Sequence, residues 1–174
     1  MGLGAAFFNE ATADVRSRPH DPFEGVIAAR LLLAVGLGAV IGFEREQMAR
    51  PAGLRTHMLT ALAAALFTII TMEIHAGVLR ESAGQSTDPI RVIEAVTAGV
   101  AFLAAGAIFR SQGDVKGLTT GAGMWLAGAI GVACGVGYGI LAVMATILAA
   151  IILVAVRWLE TYAGRKEGRS SDST

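Results

Sequence analysis

Residues 117–156 read GLTTGAGMWLAGAIGVACGVGYGILAVMATILAAIILVAV and contain no Asp, Glu, Lys or Arg. As one straight helix, this run of about forty residues would be roughly 60 Å long, twice the ~30 Å hydrocarbon core of a bilayer. The run therefore predicts two membrane-spanning helices. The cluster Gly-Val-Gly-Tyr-Gly at 135–139 divides it best, because glycine tolerates the backbone of a tight turn and Tyr138 suits the membrane-water boundary.

The composition of the whole chain is also that of a membrane protein. Of the 174 residues, 54% are hydrophobic and 16% are charged, whereas a soluble domain carries about 25% charged residues. The formal net charge is zero and no basic patch alternates with aromatic residues, so we expect no nucleic-acid partner. The single cysteine, Cys134, lies in an apolar run and is expected to pack there, because a lone cysteine forms neither an intrachain disulfide nor a multi-cysteine metal site.

Three further apolar segments complete a predicted all-α bundle of about five transmembrane helices. The predicted spans are 25–43, 56–74, 95–109, 119–135 and 140–156. The third is the shortest, since its fifteen apolar residues fall below the ~17 to 25 of a usual span, and a re-entrant hairpin is the alternative. Helix starts are predicted at Asp88-Pro89, where a carboxylate caps a helix that proline opens, at Thr56, and at Thr119 or Thr120.

The basic residues predict the orientation of a five-span chain. Leaving out Arg30, nine lie on one side (Arg45, Arg50, Arg55, Arg110, Lys116, Arg157, Arg165, Lys166, Arg169) and four on the other (Arg16, Arg18, Arg80, Arg91). The positive-inside rule then places the N-terminus outside and the C-terminus in the cytoplasm. The predicted domains are a retained lead-in at 1–23, a transmembrane domain at 24–158 and a disordered cytoplasmic tail at 159–174.

Small residues recur four apart within the predicted spans, a pattern that lets helix backbones approach closely in lipid. The glycines expected to mediate helix packing are Gly38, Gly42, Gly106, Gly117, Gly131 and Gly135. Packing inside the bundle is one interpretation, and an interface between copies in a homo-oligomer is the other.

Arg30 is the one charged residue inside the first predicted span. A guanidinium left unpaired in lipid costs several kcal/mol, so this side chain needs a partner or a route to water. One hypothesis is an ion pair with Glu73 or Glu94, which lie at similar depth in the five-span topology. The other is that the side chain extends to the outer headgroups.

A polar cluster is predicted at the cytoplasmic surface, where the first span ends, the second begins and the fourth begins. Its members are Glu44, Arg45, Glu46, Arg55, Thr56, His57, Thr119 and Thr120. Such a cluster can bind a cation, a phosphate or a partner helix, or it can anchor helix ends. His57 alone does not predict a metal site, because no second His or Cys stands at ligand spacing. No catalytic motif is present either, so we expect neither enzymatic activity nor a cofactor.

Many of these residues lie in strings that resemble the MgtC/SapB family of bacterial inner-membrane proteins. The strings are Arg30-Leu-Leu-Leu, Gly38-Ala-Val-Ile-Gly42-Phe-Glu44-Arg45-Glu46, Ala52-Gly53-Leu54-Arg55-Thr56-His57, Asp88-Pro89-Ile90-Arg91, Phe102-Leu103 with Gly106, Gly117-Leu118-Thr119-Thr120, Trp125 and Gly131. The likeness covers about residues 25–156. Two departures stand out: the family's Gly-Phe-Leu-Gly-Ala-Gly run reads Ala101-Phe-Leu-Ala-Ala-Gly106 here, and Gly121 interrupts its Thr-Thr-Ala-Ala run.

The resemblance implies a multi-pass inner-membrane protein connected with growth in low magnesium and, in pathogens, with virulence. It further implies a regulatory role in which the protein modulates other membrane machinery, including the F-type ATP synthase. The alternative is a small transporter or channel for Mg²⁺ or another ion. The uncharged segments 56–72 and 95–109 weigh against transport, and Arg30 would repel a cation. Longer family members also carry a soluble C-terminal domain, whose functions are not expected from this chain.

Overall fold

The computed structural model describes residues 22–48, 50, 52–81, 90–111 and 114–170. Within these residues it has five helices and one two-stranded hairpin. The elements are α1 (Pro22–Gln47), α2 (Leu54–Glu81), α3 (Ile90–Gly106), β1 (Phe109–Ser111), β2 (Asp114–Lys116), α4 (Leu118–Val136) and α5 (Gly139–Ser170). The predicted helical membrane fold is confirmed. The predicted lead-in as far as residue 21 and the predicted helix start at Asp88-Pro89 lie outside the described residues.

Four of the helices are long and apolar enough to cross a bilayer. These segments are Glu24–Gln47, Leu54–Ala76, Leu118–Val136 and Gly139–Leu159. The fifth, α3, has 17 residues and is therefore about 25 Å long, somewhat less than the hydrocarbon core. Length alone leaves the third crossing undecided, as the sequence did.

The packing of α4 on α2 shows that these two helices run in the same direction. Gly123, near the start of α4, packs against His57, near the start of α2. Gly135, near the end of α4, packs against Thr68. Thr68 lies about four helical turns after Leu54, the first residue of α2. Because α2 and α4 begin at the same end of the bundle, the chain between them must return to that end.

The helix that makes this return is α3. Its Val100 packs against Gly128 in the middle of α4, whereas Ala104, further along α3, contacts Gly121 near the start of α4. The helix α3 therefore runs antiparallel to α4. The contacts thus show that α3 returns the chain to the end of the bundle where α4 begins.

The remaining contacts place α1 and α5 antiparallel to α2 and α4. Gly38 packs against Ala61, and Gly42 packs against Leu54 at the start of α2. At the opposite end, Gly139 at the start of α5 contacts Leu33 of α1. We call the two ends of the bundle the Arg30 end and the His57 end. The described chain starts at the first and finishes at the second, and the side that faces the cytoplasm remains a prediction.

The turn between α4 and α5 forms at the predicted glycine cluster. Gly137 adopts the left-handed conformation with φ of 104°, and its N–H donates to the carbonyl of Cys134. The N–H of Tyr138 donates to the carbonyl of Ala133 at 2.8 Å. These two hydrogen bonds form a Schellman motif, which ends a helix and satisfies its terminal carbonyls.

Two predicted helix caps are wrong. Helix α2 begins at Leu54 and not at Thr56, because the carboxylate of Glu46 accepts a hydrogen bond from the Leu54 N–H at 3.0 Å. Helix α4 begins after Gly117, which is left-handed with φ of 89° and gives no side-chain cap, so neither Thr119 nor Thr120 is the N-cap. The Glu46 side chain therefore caps α2, and a turn at Gly117 precedes α4, where threonine caps were predicted.

The centre of the bundle is built on α4, which contacts every other helix. Its buried face is rich in glycine and alanine, and the core around it contains Ala34, Ile41, Ala61, Ala65, Ile130, Cys134 and Ala142. Cys134 is fully buried in this core, as its apolar setting predicts. Small side chains bring the helix backbones together, which is how membrane helices gain packing energy.

Two segments differ from their predicted character. The segment that joins the third and fourth predicted spans holds an antiparallel hairpin, in which Phe109 pairs with Lys116 and Ser111 with Asp114. Helix α5 continues past the predicted end of its span to Ser170, where a disordered tail is predicted. Residues 157–170 contain no proline and several strong helix formers, which allows the helix to extend.

Candidate functional site

Four of the six predicted packing glycines lie at close helix contacts. Gly38 and Gly42 allow the backbone of α2 to lie close to α1, since a β-carbon at Gly42 would be 2.8 Å from the Leu54 Cα. Gly131 and Gly135 admit it from the other side, since a β-carbon at either position would meet the backbone carbonyl of Ala61 or Ala65. These glycines pack within the bundle, as the first interpretation predicts.

The other two glycines have different roles. Gly117 occupies a left-handed turn, where a β-carbon would also collide with the Ala107 carbonyl. Gly106, at the end of α3, has open space where a β-carbon would be. The packing predicted for Gly106 is therefore not formed, because the chain leaves the helix at this residue.

The Arg30 side chain is bound to the turn between α4 and α5. Its Nη1 donates to the carbonyl of Gly135 at 3.1 Å, and the guanidinium covers Gly137. The Schellman motif leaves this carbonyl of the last helical turn without a backbone partner, and a cation there also interacts favourably with the helix dipole. Within the described residues, Arg30 forms no ion pair with Glu73 or Glu94, which are both exposed. The hypothesised ion pair is thus replaced by a backbone cap.

His57 is completely buried at the opposite end of the bundle. Its Nδ1 lies 2.9 Å from the carbonyl of Gly53, one turn earlier, so this nitrogen carries the proton if the ring donates. Its Nε2 has no hydrogen-bond partner among the described residues and faces Gly123, where a β-carbon would be 3.0 Å away. The imidazole therefore fills a space that glycine leaves between α2 and α4.

Glu44 and Arg45 form an ion pair beside a small cavity. The Arg45 Nε lies 3.1 Å from Glu44 Oε2, but neither atom has a partner at hydrogen-bond geometry in the part of the chain that the structure describes. The contact is therefore an ion pair with poor alignment. Arg45 is only 5% exposed. The cavity beside it, which we call the cationic cavity, measures about 100 Å³ and is lined by residues that include Glu44, Arg45, Arg50, Thr119, Val156 and Arg157.

The structure disperses the other predicted members of the cytoplasmic cluster. The carboxylate of Glu46 caps α2 and covers Gly53, where any β-carbon would collide with it. The carbonyl of Thr56 accepts a hydrogen bond from the Thr60 hydroxyl. Arg55 is exposed and Thr120 is buried. Of the eight predicted residues, Glu44, Arg45 and Thr119 thus share a cavity, while the others hold helix ends or lie apart from it.

Sequence reasoning missed three participants. Arg50 and Arg157 line the cationic cavity from the loop after α1 and from α5, and Gly123 provides the space for His57. Arg157 entered the sequence analysis only as one of the basic residues that predict the orientation. No signal within the chain links positions 45 and 157, because their proximity follows from the parallel directions of α1 and α5.

Comparison with known proteins bears on the same residues. The MgtC family matches residues 31–162 of this chain. The chain belongs to the MgtC family. The match covers all five described helices in whole or in part, and it includes the Glu44–Arg45 pair, His57 and the glycines of α4.

Individual proteins are also similar to this chain. A Haemophilus influenzae protein is 37% identical over 138 residues, which make up 79% of this chain and 57% of the relative. Brucella abortus MgtC is 38% identical over 143 residues, 80% of this chain and 56% of the relative. Salmonella typhimurium MgtC is 40% identical over 118 residues, 68% of this chain and 47% of the relative. The chain thus spans about half the length of these relatives, and no solved structure matches it.

Proposed function

We propose that this chain is a non-enzymatic regulatory protein of the bacterial inner membrane that acts by binding another membrane protein. The membership in the MgtC family supports a connection with growth in low magnesium and, in pathogenic species, with virulence. The resemblance to the MgtC/SapB family also supplies a first target, the F-type ATP synthase. The observation that carries the proposal is an open groove between α2 and α3.

The groove is large and apolar. Its volume is about 490 Å³, and its walls include Ala63, Ala64 and Phe67 of α2 and Ala95, Gly99 and Leu103 of α3. The threonine hydroxyls nearby do not make it polar, because the hydroxyls of Thr60 and Thr71 donate to carbonyls of their own helix. The groove therefore offers shape and apolar surface to an occupant within the bilayer.

Small residues favour a transmembrane helix as the occupant. Gly99 has nothing within 4 Å of the place where its β-carbon would be, and Ala63 and Ala95 also line the groove. Helices associate in lipid where small residues allow their backbones to approach. Helix α3 also buries little of its surface against the rest of the bundle, since Val100 and Ala104 are its only buried residues. A partner helix would cover the face that the bundle leaves open.

The interior of the bundle weighs against ion transport. Charged and imidazole groups lie at its two ends, whereas the core between them consists of apolar residues and threonines. The buried hydroxyls of Thr68 and Thr146 donate to carbonyls of their own helices. Within the described residues, no three His, Cys, Asp or Glu side chains come together. Ion pathways through membranes need such polar groups at midplane depth.

Substitution of two open glycines tests the proposal. Gly99→Leu fills the groove, whereas Gly36→Leu adds the same side chain at a glycine of α1 that also has open space around it. A photo-crosslinker at Leu103 in native membranes should label a transmembrane subunit of the F-type ATP synthase. Gly99→Leu should remove that product, and Gly36→Leu should retain it.

Other products of the same experiment have defined meanings. A different membrane protein with the same sensitivity to Gly99→Leu would keep the groove as the binding site and replace the target. Crosslinks to lipid or to a second copy alone would contradict the proposal. Flux of Mg²⁺ into proteoliposomes that contain only this chain, abolished by Glu44→Ala, would establish the transporter instead.

A further inference from the structure

We infer that the cationic cavity at the His57 end binds a phosphate group, carried by a lipid headgroup or present as inorganic phosphate. This inference is independent of the groove between α2 and α3. The cavity measures about 100 Å³, whereas one water molecule needs about 15 Å³ of such space. A group of several heavy atoms therefore fits.

The charge of the lining selects an anion. Arg45, Arg50 and Arg157 contribute three guanidinium groups to the lining and Glu44 contributes one carboxylate, so basic groups outnumber acidic ones there. Glu44 already faces the Arg45 Nε at 3.1 Å, which leaves it poorly suited to a second cation. Mg²⁺ prefers carboxylate ligands without competing cations. Guanidinium groups match the oxygens of phosphate in geometry and charge.

The buried guanidinium of Arg45 is the strongest sign of a missing ligand. The residue is 5% exposed, yet among the described residues its Nε has no hydrogen-bond partner and lies in the poorly aligned ion pair with Glu44. Arginine carries five N–H donors, and buried donors without partners are destabilising. A phosphate in the cavity would accept several of these hydrogen bonds at once.

The start of α4 is a second feature that favours an anion. Gly117 occupies the N-cap position and makes no side-chain cap, so the N-cap residue itself supplies no oxygen to the first N–H groups of α4. Thr119, in the first turn, lines the cavity and can add its hydroxyl. A helix N-terminus favours an anion through these donors and through the positive end of the helix dipole. The two observations thus point to the same class of ligand.

The position of the cavity allows either source of phosphate. It lies where α1 ends and where Val156 and Arg157 mark the end of the apolar part of α5. Basic pockets at this depth, between helices on the predicted cytoplasmic side, recognise anionic headgroups. The same opening admits a soluble phosphate from the water side.

Thermal unfolding of the purified protein in detergent separates the two sources. In one arm, potassium phosphate is compared with potassium chloride at equal ionic strength. In the other, phosphatidylglycerol is compared with diacylglycerol, which lacks the phosphate. A rise of the midpoint in the first arm identifies inorganic phosphate, a rise in the second identifies the lipid headgroup, and either result supports the inference because a ligand that binds the folded state stabilises it.

Charge-matched variants show where the ligand binds. Arg50→Gln should weaken the apparent affinity about tenfold, the effect of losing one charge-assisted hydrogen bond. Lys116→Gln removes the same charge from an exposed site outside the cavity, and it should leave the affinity nearly unchanged. Arg45→Lys keeps the buried charge, loses the planar fork, and should also weaken binding. If neither ligand raises the midpoint, or if Arg50→Gln and Lys116→Gln weaken binding equally, the inference is overturned.

Discussion

The two ends of the bundle hold arginines from the same helix in opposite situations. At the Arg30 end, the guanidinium donates to the carbonyl of Gly135 and closes the turn after α4. At the His57 end, Arg45 is nearly inaccessible, yet its described contact is one ion pair of poor alignment. Nearby, the Nε2 of His57 also has no partner among the described residues.

This difference separates structural from functional use of buried charge. A buried polar group that finds a partner contributes to stability, whereas one that remains unpaired reduces it. Arg30 therefore acts as part of the fold. The unpaired groups at the His57 end are expected to reduce stability until a ligand binds, which is typical of residues kept for function.

The largest loss of stability is expected from disrupting the contact between Gly135 of α4 and helix α2, near the Arg30 end. In Gly135→Val, the new side chain meets the Ala65 carbonyl and the Thr68 Cβ, both 2.7 Å from the β-carbon position. Backbone atoms cannot yield as a side chain can, so we expect a loss of about 3 kcal/mol in the free energy of unfolding. Denaturation in detergent measures it, with Gly36→Val as the control at an open glycine. Equal stability of the two variants would show that α2 and α4 do not pack as described.

A smaller loss of stability is expected at the His57 end, where the Glu46 carboxylate caps a helix. Glu46→Ala removes the acceptor for the Leu54 N–H and should cost about 1 kcal/mol, as the loss of a helix cap does. Glu94→Ala, at an exposed carboxylate on α3, serves as the control in the same denaturation assay. If both substitutions have the same effect, Glu46 is not the cap of α2.

The smallest effect is expected at Gly123. A β-carbon there would lie 3.0 Å from the Nε2 of His57, an atom at the edge of a side chain and not in a backbone. A small shift of the ring and the gain of about 1 kcal/mol in helix propensity should leave Gly123→Ala within about 1 kcal/mol of the parent. Thermal unfolding beside Gly135→Ala checks this comparison, and a larger loss at Gly123 would reverse it.

Much of the fold could be predicted from the sequence because apolar runs and glycine clusters act locally. The charge-free run at 117–156 predicted two helices, and the turn formed at Gly137 as expected. The third crossing was harder, since α3 is short. Its direction follows only from contacts such as that of Val100 with Gly128 on another helix.

The candidate site was less predictable because it depends on distant parts of the chain. The pairing of Arg30 with Glu73 or Glu94 was inferred from charge and depth, but a backbone carbonyl in a Schellman turn can satisfy a guanidinium equally well. The sequence predicts that Glu44 lies near Arg45, because the two residues are adjacent. It does not predict that Arg157 lies beside them, since that requires knowing that α1 and α5 run in parallel.

The most direct test of the difference between the two ends compares two arginine replacements in the same detergent without added ligand. Arg30→Met should lower the free energy of unfolding by about 1.5 to 3 kcal/mol, since it removes a charge-assisted hydrogen bond. The double substitution Arg45→Met with Glu44→Gln should leave stability unchanged or raise it, because an apolar side chain replaces a poorly satisfied ion pair. If Arg30→Met is neutral and the pair at the His57 end is the more destabilising change, the assignment of structure to one end and function to the other is wrong.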